Sequence, residues 1–286
     1  MRNVDIRVFQ IARTQEDVEQ MREWLDHVGA TNYPVPIGLS GAEQVTGHAA
    51  KRCYMSFEPG LNKNVTKVRR DWDQYFANIL NSGHGSVLEH GTYSYAIEGC
   101  SRVFTAEMNR HRAGVAISEG SLRYIRFDDI PWWMPTSLQL TAEEVAHQAD
   151  METVNPELSD SIYQKTRSQE DFNKAFEHAQ ECYKELCDIW GIDNPDKKMP
   201  FSKKKVLTSM FRRIIPMGVA TGGVWTMNIR ALRHIIALRT TPHAEEEIAL
   251  VMSLIAKDIV EREPRLMCDF VQDKETGCWV PEYFKV

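Results

Sequence analysis

The densest set of residues able to do chemistry is Arg110-His111-Arg112, followed by Glu119, Ser121, Arg123 and Tyr124 in a stretch broken by Gly114 and Gly120. Guanidinium groups fork onto phosphate oxygens, and glycines let a backbone come close to a ligand, so this is the equipment of a nucleotide phosphate site. The same residues also suit a solvated basic helix end, where the helix dipole favours Arg and His. Neither a Walker loop nor a G-x-G-x-x-G turn occurs, which excludes the common phosphate loops. His111 between two cations is a poor metal ligand, because a dication would add to positive charge already present.

Other candidates are sparser. Gly83 to His90 carries His84, Ser86, Glu89 and His90 without H-E-x-x-H order, so no metal site is expected, and Ser86 is available to donate to a phosphate or ribose. A helix is expected from Thr226 to Leu238; at about 100° per residue it places Asn228, Leu232, Ile235 and Arg239 within an arc of about 60°. A cation on an apolar face needs a partner or a ligand, unless Arg239 reaches solvent at the helix end. Arg212 and Arg213, before Pro216, are either a further anion contact or surface charges beside Lys203, Lys204 and Lys205. Glu107 stands one turn before Arg110 and His111 and is compatible with ordinary pairs along a helix.

The elements that must position these residues read as mostly helical. A short strand is expected over Val4 to Ile11, then helices over Thr14 to Val28 (Thr14 as the cap), Gly41 to Met55 and Val65 to Ser82. The aromatic alternation from Thr92 to Ile97 predicts a strand that passes through Gly99 into a helix from about Ser101 to Arg112. Asp128 to Asp160 is acidic and holds Pro131, Pro135 and Pro156, as loops and a short helix would. Helical spacing returns over Ser168 to Ile189, Ser202 to Ile214 and Pro242 to about Glu263. Helices packed around a small central sheet, without β-α-β alternation, make an α+β fold.

Composition removes other classes. The 286 residues are 43% hydrophobic and 26% charged, enough for a sizeable core and unlike disordered or fibrous chains. A formal net charge of −6 gives no overall attraction for nucleic acid polymers or anionic membranes, so any anion site is local. Without a spanning apolar segment or a secretory leader, a cytoplasmic protein is expected. The six cysteines show no C-x-x-C pair and no neighbouring base, which predicts free thiols and no cysteine nucleophile.

Taken together, these segments resemble the flavin-dependent thymidylate synthases, the ThyX family. The resemblance rests on Arg110-His111-Arg112 followed by Glu119-Gly120-Ser121-Leu122-Arg123-Tyr124, and extends to Ala49 through Tyr54, Gly83 through His90, Asn228 through Leu232, Leu238-Arg239, and His243-Ala244 running into Glu247-Ile248. It covers most of the chain from about residue 45 onward, in family order, as a single catalytic domain with an N-terminal elaboration at about 12–45 and an acidic insertion at about 128–165. It implies a homotetramer with sites at subunit junctions, FAD as redox carrier, NADPH as reductant, methylenetetrahydrofolate as one-carbon donor and dUMP as acceptor.

By the same resemblance, Arg239 polarises the uracil ring. Ser86, Arg110, His111, Arg112, Glu119, Asn228, Arg230 and His234 contact the flavin, while Glu107, Arg110, Ser121, Arg123, Arg212 and Arg239 contact the nucleotide, Glu107 and Arg110 from a neighbouring subunit. His84, Glu89 and His90 are then positioning residues. Two features depart from the family pattern: the spacer Ala113 to Ser118 is one residue longer and lacks an Asn before Glu119, and Glu107 replaces a Gln. They leave open C5 modification of another pyrimidine nucleotide (hydroxymethylation, or dCMP as substrate), and the arginines alone leave open a nucleotide- or RNA-binding module without chemistry.

Overall fold

The computed structural model describes residues 2–127, 129–147, 156–196 and 198–286. In chain order the elements are β1 (Arg2–Asn3), β2 (Arg7–Arg13), α1 (Val18–His27), α2 (Gly41–Tyr54), α3 (Trp72–Asn81), β3 (Thr92–Ser101), α4 (Arg102–Met108), β4 (Val115–Glu119) and β5 (Pro131–Trp132). They continue with α5 (Ala142–His147), α6 (Pro156–Ile189), α7 (Phe201–Phe211), β6 (Ala220–Asn228), α8 (Ile229–Arg239), α9 (Glu246–Arg262), β7 (Phe270–Gln272) and β8 (Trp279–Pro281). The architecture is the expected α+β class, and no helix among the described residues is long and apolar enough to cross a membrane.

The chain divides into two compact units, each made of several segments. One comprises the residues up to Arg7, Ile97–Glu107 and Glu119–Gly223. Here β1 pairs in parallel with β5, Arg2 opposite Pro131 and Asn3 opposite Trp132. Trp132 stacks on Phe176 of α6 at 4.8 Å between centroids. Phe176, Ala179, Tyr183 and Cys187 recur every three or four residues and bury one stripe of α6, whose remaining faces carry exposed charge. Among the described residues this helix runs from Pro156 rather than from near Ser168.

The second unit holds Val8–Ala96, Met108–Ser118 and Val224–Val286. A four-stranded sheet in the order β2-β3-β6-β4 provides its platform. Alternation along β3 buries Tyr93 and Tyr95, and their phenols donate to carboxylates of the C-terminal helical segment: Tyr93 to Glu263, and Tyr95 to Asp258 at 2.9 Å. Leu232, Ile235 and Ile236 of α8 and Val251, Met252, Ile255 and Ile259 of α9 are buried in the core.

Several boundaries differ from the sequence reading. Asp17, not Thr14, caps α1: its carboxylate accepts from Gln20 N, while Thr14 bonds Thr92 at the start of β3. Asp71 caps α3, so residues 65–71 are not helical. The helix expected from Thr226 begins only at Ile229. Ala220 to Asn228 pairs as a strand instead, with Thr226 Oγ1 2.7 Å from Ser94 Oγ, and Asn228 ends the strand and caps the helix. Asn228 therefore does not share an apolar helix face with Arg239. Asp128 and residues 148–155 of the acidic stretch lie outside the described residues.

One buried ion pair holds α8 to the C-terminal segment. Arg233 forks onto Asp269, Nη1 to Oδ1 at 2.6 Å and Nη2 to Oδ2 at 2.8 Å, and also donates to Leu266 O at 2.9 Å. The two side chains are 3% and 2% exposed. Removing one partner of such a pair strands a charge away from water, so Asp269→Ala should lower unfolding free energy by about 3–5 kcal/mol in urea titrations. A loss under about 1 kcal/mol would show that Arg233 finds other compensation.

Candidate active site

The cationic loop is built at the junction of β6 and α8. Asn228 uses its side-chain oxygen to accept from Ala231 N at 2.8 Å, the helix cap, and its own N–H to donate to Gly114 O at 3.0 Å. Gly114 has φ +70°, and a Cβ there would lie 2.5 Å from Asn228 Nδ2. The second residue after Arg-His-Arg is thus tied to the start of α8 and must be glycine. His111 N–H donates to Met108 O at 3.1 Å and anchors the other end of the turn. The long spacer of the sequence resolves as this turn followed by β4, a strand that the sequence reading missed.

Arg239 is the last residue of α8, where a cation complements the helix dipole. Its Nε donates to His111 Nε2 at 2.9 Å, and the His111 ring meets the His234 ring edge-on at 6.2 Å. Arg110, Arg112 and His234 are exposed. His111 thus brings together Arg239 and His234, while Asn228 ties down the loop that follows it.

Ser86 and Arg230 border a cavity of about 960 Å³ between the end of α2, the 64–71 loop, α3 and the 3-10 turn Gly85–His90. Arg230 Nη1 pairs with Glu89 Oε1 at 2.6 Å. A Cβ on Gly85 would sit 2.9 Å from Arg230 Nε, so this turn has room only for glycine. Lys67, Arg69 and Arg70 make the cavity wall basic despite the negative net charge. Cys53 lines it as well and, like the other five cysteines, is a free thiol.

Lys51, 1% exposed, is a buried cation that sequence reasoning did not single out. Its ammonium lies 4.4 Å from the Tyr75 ring centroid and 5.2 Å from that of Trp72, and donates to Arg69 O at 3.0 Å. This contact clasps the cavity loop to α2. Burial, with Arg69 nearby, pushes the Lys51 pKa down to about 8.

The remaining candidates lie in the first unit. Glu107 is half-buried near the end of α4. Glu119 is ion-paired with Arg102, which also donates to Gly120 O at 2.6 Å. Arg102 organises the motif tail, and nothing in its spacing signalled that. Burial holds its guanidinium below the ordinary value. Ser121 and Arg123 sit in a turn closed by Tyr124 N to Ser121 O at 3.1 Å and tied to α7 by Thr208 Oγ1 to Arg123 O at 2.8 Å. Lys205 of α7 lies 4.8 Å over the Tyr124 ring, and its hydrogen bond holds the Tyr124 phenol below its ordinary value. Arg212, half-buried, opens the 3-10 turn that follows α7. The structure thus assembles the expected phosphate contacts Ser121, Arg123 and Arg212 in one unit and most flavin candidates in the other.

Two measurements probe this construction. Gly114→Ala should cost about 1–3 kcal/mol of stability, because the new residue must hold positive φ and push Asn228 off its cap; an unchanged melting curve would remove the constraint. Lys51 is held below its unfolded value, so between about pH 8 and 10 the unfolded chain binds more protons and Lys51 makes stability rise with pH. Lys51→Met should lose that rise in denaturant titrations across the window; a wild-type slope in the variant would contradict the clasp.

The family model described as "Thymidylate synthase complementing protein" matches residues 37–265. A flavin-dependent thymidylate synthase of Mycobacterium tuberculosis (strain H37Rv) is 26% identical over 245 residues, 86% of each chain. One from Mycobacterium sp. (strain KMS) is 27% identical over 270 residues, 93% of this chain and 90% of that one. Among solved structures, the UMP/dUMP methylase PolB from Streptomyces cacaoi bound with 5-Br dUMP superposes with a TM-score of 0.60 at 18% identity, covering 93% of this chain and 95% of that one, a likeness of fold. The match to the family model takes in the Arg-His-Arg turn, the cavity and α8 together, and the chain belongs to the thymidylate synthase complementing protein family, that of the flavin-dependent thymidylate synthases.

Proposed function

We propose that this protein is a flavin-dependent thymidylate synthase that reductively methylates dUMP to dTMP, with methylenetetrahydrofolate as one-carbon donor and NADPH as reductant. The observation that carries this reading is the Arg-His-Arg turn locked beside an α8 that ends in Arg239, within a family match spanning both.

The residues fit FAD. The cavity of about 960 Å³ has a dinucleotide's scale, its basic wall and Arg230 suit a diphosphate, and Ser86 offers a hydroxyl beside a glycine turn. Arg110, His111, Arg112, Asn228, Arg230 and His234 are the residues proposed to hold it, with Glu119 positioned by Arg102. FAD, when bound, supplies the reducing equivalents that no side chain here can.

The chain's own work is to bind and polarise. Ser121, Arg123 and Arg212 take the nucleotide phosphate. Arg239, permanently cationic, donates to the pyrimidine edge and stabilises negative charge as C5 becomes nucleophilic. The assembly is proposed to be a homotetramer in which Glu107 and Arg110 serve a neighbouring subunit's nucleotide, and the compartment the cytoplasm. A second reading, dCMP in place of dUMP, is favoured by Glu107, because an ionised carboxylate accepts from an amine such as the cytosine N4 group but cannot donate.

Anaerobic incubation with NADPH, methylenetetrahydrofolate and each of dUMP, UMP and dCMP, followed by mass analysis of the nucleotide, should show a methyl gain on dUMP. Gain on dCMP alone establishes the second reading, and none on any nucleotide contradicts both. Arg239→Lys should retain flavin reduction by NADPH yet lower nucleotide methylation on the order of a hundredfold, since a point charge cannot replace the planar fork. Ser121→Ala and Arg212→Ala should weaken nucleotide binding by about 1.5–3 kcal/mol each and leave flavin content unchanged.

A further inference from the structure

We propose that residues 284–286 are the positioning element for Arg230: they lie against the turn of residues 83–86 and, with Gly85, form the slot that holds the Arg230 guanidinium at the cavity wall. The inference rests on the reading of Arg230 as a flavin contact, and adds to it a segment beyond residue 265, where the match to the family model ends.

The segment reaches that turn by running back along α8. At the C-terminal end of the helix, Trp279 N donates to Thr240 Oγ1 at 3.0 Å. Further back, Asp269 Oδ2 accepts both from Arg233 on α8 and from Tyr283 N at 3.1 Å, and Arg233 Nη2 also donates to Tyr283 O at 3.4 Å. Phe284 and Val286 then line a small cavity with His234 and Ala237. At the first turn of the helix, Val286 arrives beside Gly85 and Arg230. From Thr240 to Arg230 a helix rises about 15 Å, which residues 279–286 cover without full extension.

The approach at the turn is close. A Cβ on Gly85 would lie 2.7 Å from Val286 C and 2.9 Å from Arg230 Nε, so the backbone of one and the guanidinium of the other press on the same bare face of the glycine. Lys285 O lies 3.9 Å from the place of a Cβ on Gly83, whose φ is +67°. Gly85 and Val286 are buried, although Phe284 and Lys285 are exposed. A buried residue that follows two exposed ones marks a seat, where the chain is held down.

Arg230 has a use for such a device. It and Glu89 are 45% and 48% exposed, and an ion pair in that setting holds a long side chain only weakly. Glu89 meets the guanidinium at Nη1, and the slot confines it at Nε. Two constraints set the plane of the group before a ligand arrives, which spares the ordering otherwise lost on binding. Gly83, Gly85, Ser86 and Arg230 line the cavity of about 960 Å³, whereas residues 283–286 do not. The segment therefore acts through Arg230 and the turn, not as a lid and not as a ligand contact.

The test is FAD affinity, by absorbance titration of the flavin-free protein, for wild type, a variant ending at Tyr283, Val286→Asn and Val286→Ile, each also in an Arg230→Ala background. The shortened variant keeps the bonds of Tyr283 to Asp269 and Arg233, so its fold should be preserved, and a thermal melt checks that. Arg230→Ala alone should weaken FAD binding about tenfold to a hundredfold, the equivalent of one charge-assisted hydrogen bond. The shortened variant and Val286→Asn should each weaken it about fivefold to tenfold, the cost of ordering one long side chain on binding. Val286→Ile keeps an apolar side chain beside a cavity of about 30 Å³ and should stay within about twofold of wild type. In the Arg230→Ala background none of the three should cost more than about twofold, because a segment acting only through Arg230 has nothing left to position. A segment that merely supports the fold would cost the same in both backgrounds.

Wild-type affinity in the shortened variant or in Val286→Asn, a loss in Val286→Ile equal to that in Val286→Asn, or equal losses with and without Arg230, overturns the proposal. If wild type binds no FAD, or Arg230→Ala binds it as wild type does, the flavin reading of Arg230 fails by itself. Crystal structures of the wild-type and shortened proteins then decide the slot alone: a guanidinium held beside Gly85 in the first and displaced in the second supports it, and the same position in both refutes it.

Discussion

The site depends on one backbone hydrogen bond, from Asn228 N to Gly114 O, at the place where β6 becomes α8. Asn228 ends the strand, caps the helix with its side chain and ties down the loop that follows Arg-His-Arg. The loop must pass so close to that side chain that only a glycine in the left-handed region fits. Three structural decisions are therefore made by two residues. Because α8 leaves this junction in a fixed direction, Arg230 and His234 follow one turn apart on an exposed side, Arg233 is buried, and Arg239 ends the helix.

The two sorts of arginine on α8 show how the chain divides stability from function. Arg233 is almost fully buried and satisfied by a bidentate carboxylate and a carbonyl, so it holds the C-terminal segment and has nothing to offer a ligand. Arg230 and Arg239 are less buried, and each meets a neighbouring side chain, Glu89 for Arg230 and His111 for Arg239. A protein with net charge −6 thus builds a locally positive surface without burying unpaired cations. Lys51 is the exception. It is buried with aromatic rings and one carbonyl in place of a carboxylate, and its pKa falls accordingly.

The motif residues were legible because their types state their chemistry: a run of cations with glycines describes an anion site in one dimension. The class of fold was legible for a similar reason, since helical spacing is local. The boundary at Asn228 was not, because Thr226 to Leu238 has helical periodicity throughout, and the strand wins through pairing with β3, a partner more than a hundred residues away in sequence. Residues 65–71 likewise precede the helix capped by Asp71, and Arg69 O there accepts from the distant Lys51. Arg102 and Lys205 carried no signal at all, since their importance lies in reaching Glu119 and Tyr124 from other elements. What the sequence concealed was the set of distant partners that override local preference.

The central claim is that the Asn228 junction holds a flavin site, and FAD binding followed by visible absorbance tests it most directly. Wild-type protein should bind FAD with a perturbed flavin spectrum that bleaches on adding NADPH. Asn228→Ala, still folded by its thermal melt, should bind FAD at least about tenfold more weakly, because the side-chain cap that fixes the start of α8, where the loop is tethered, is lost. Wild-type FAD affinity in that variant, or no spectral change on adding FAD to the wild-type protein, would contradict the account.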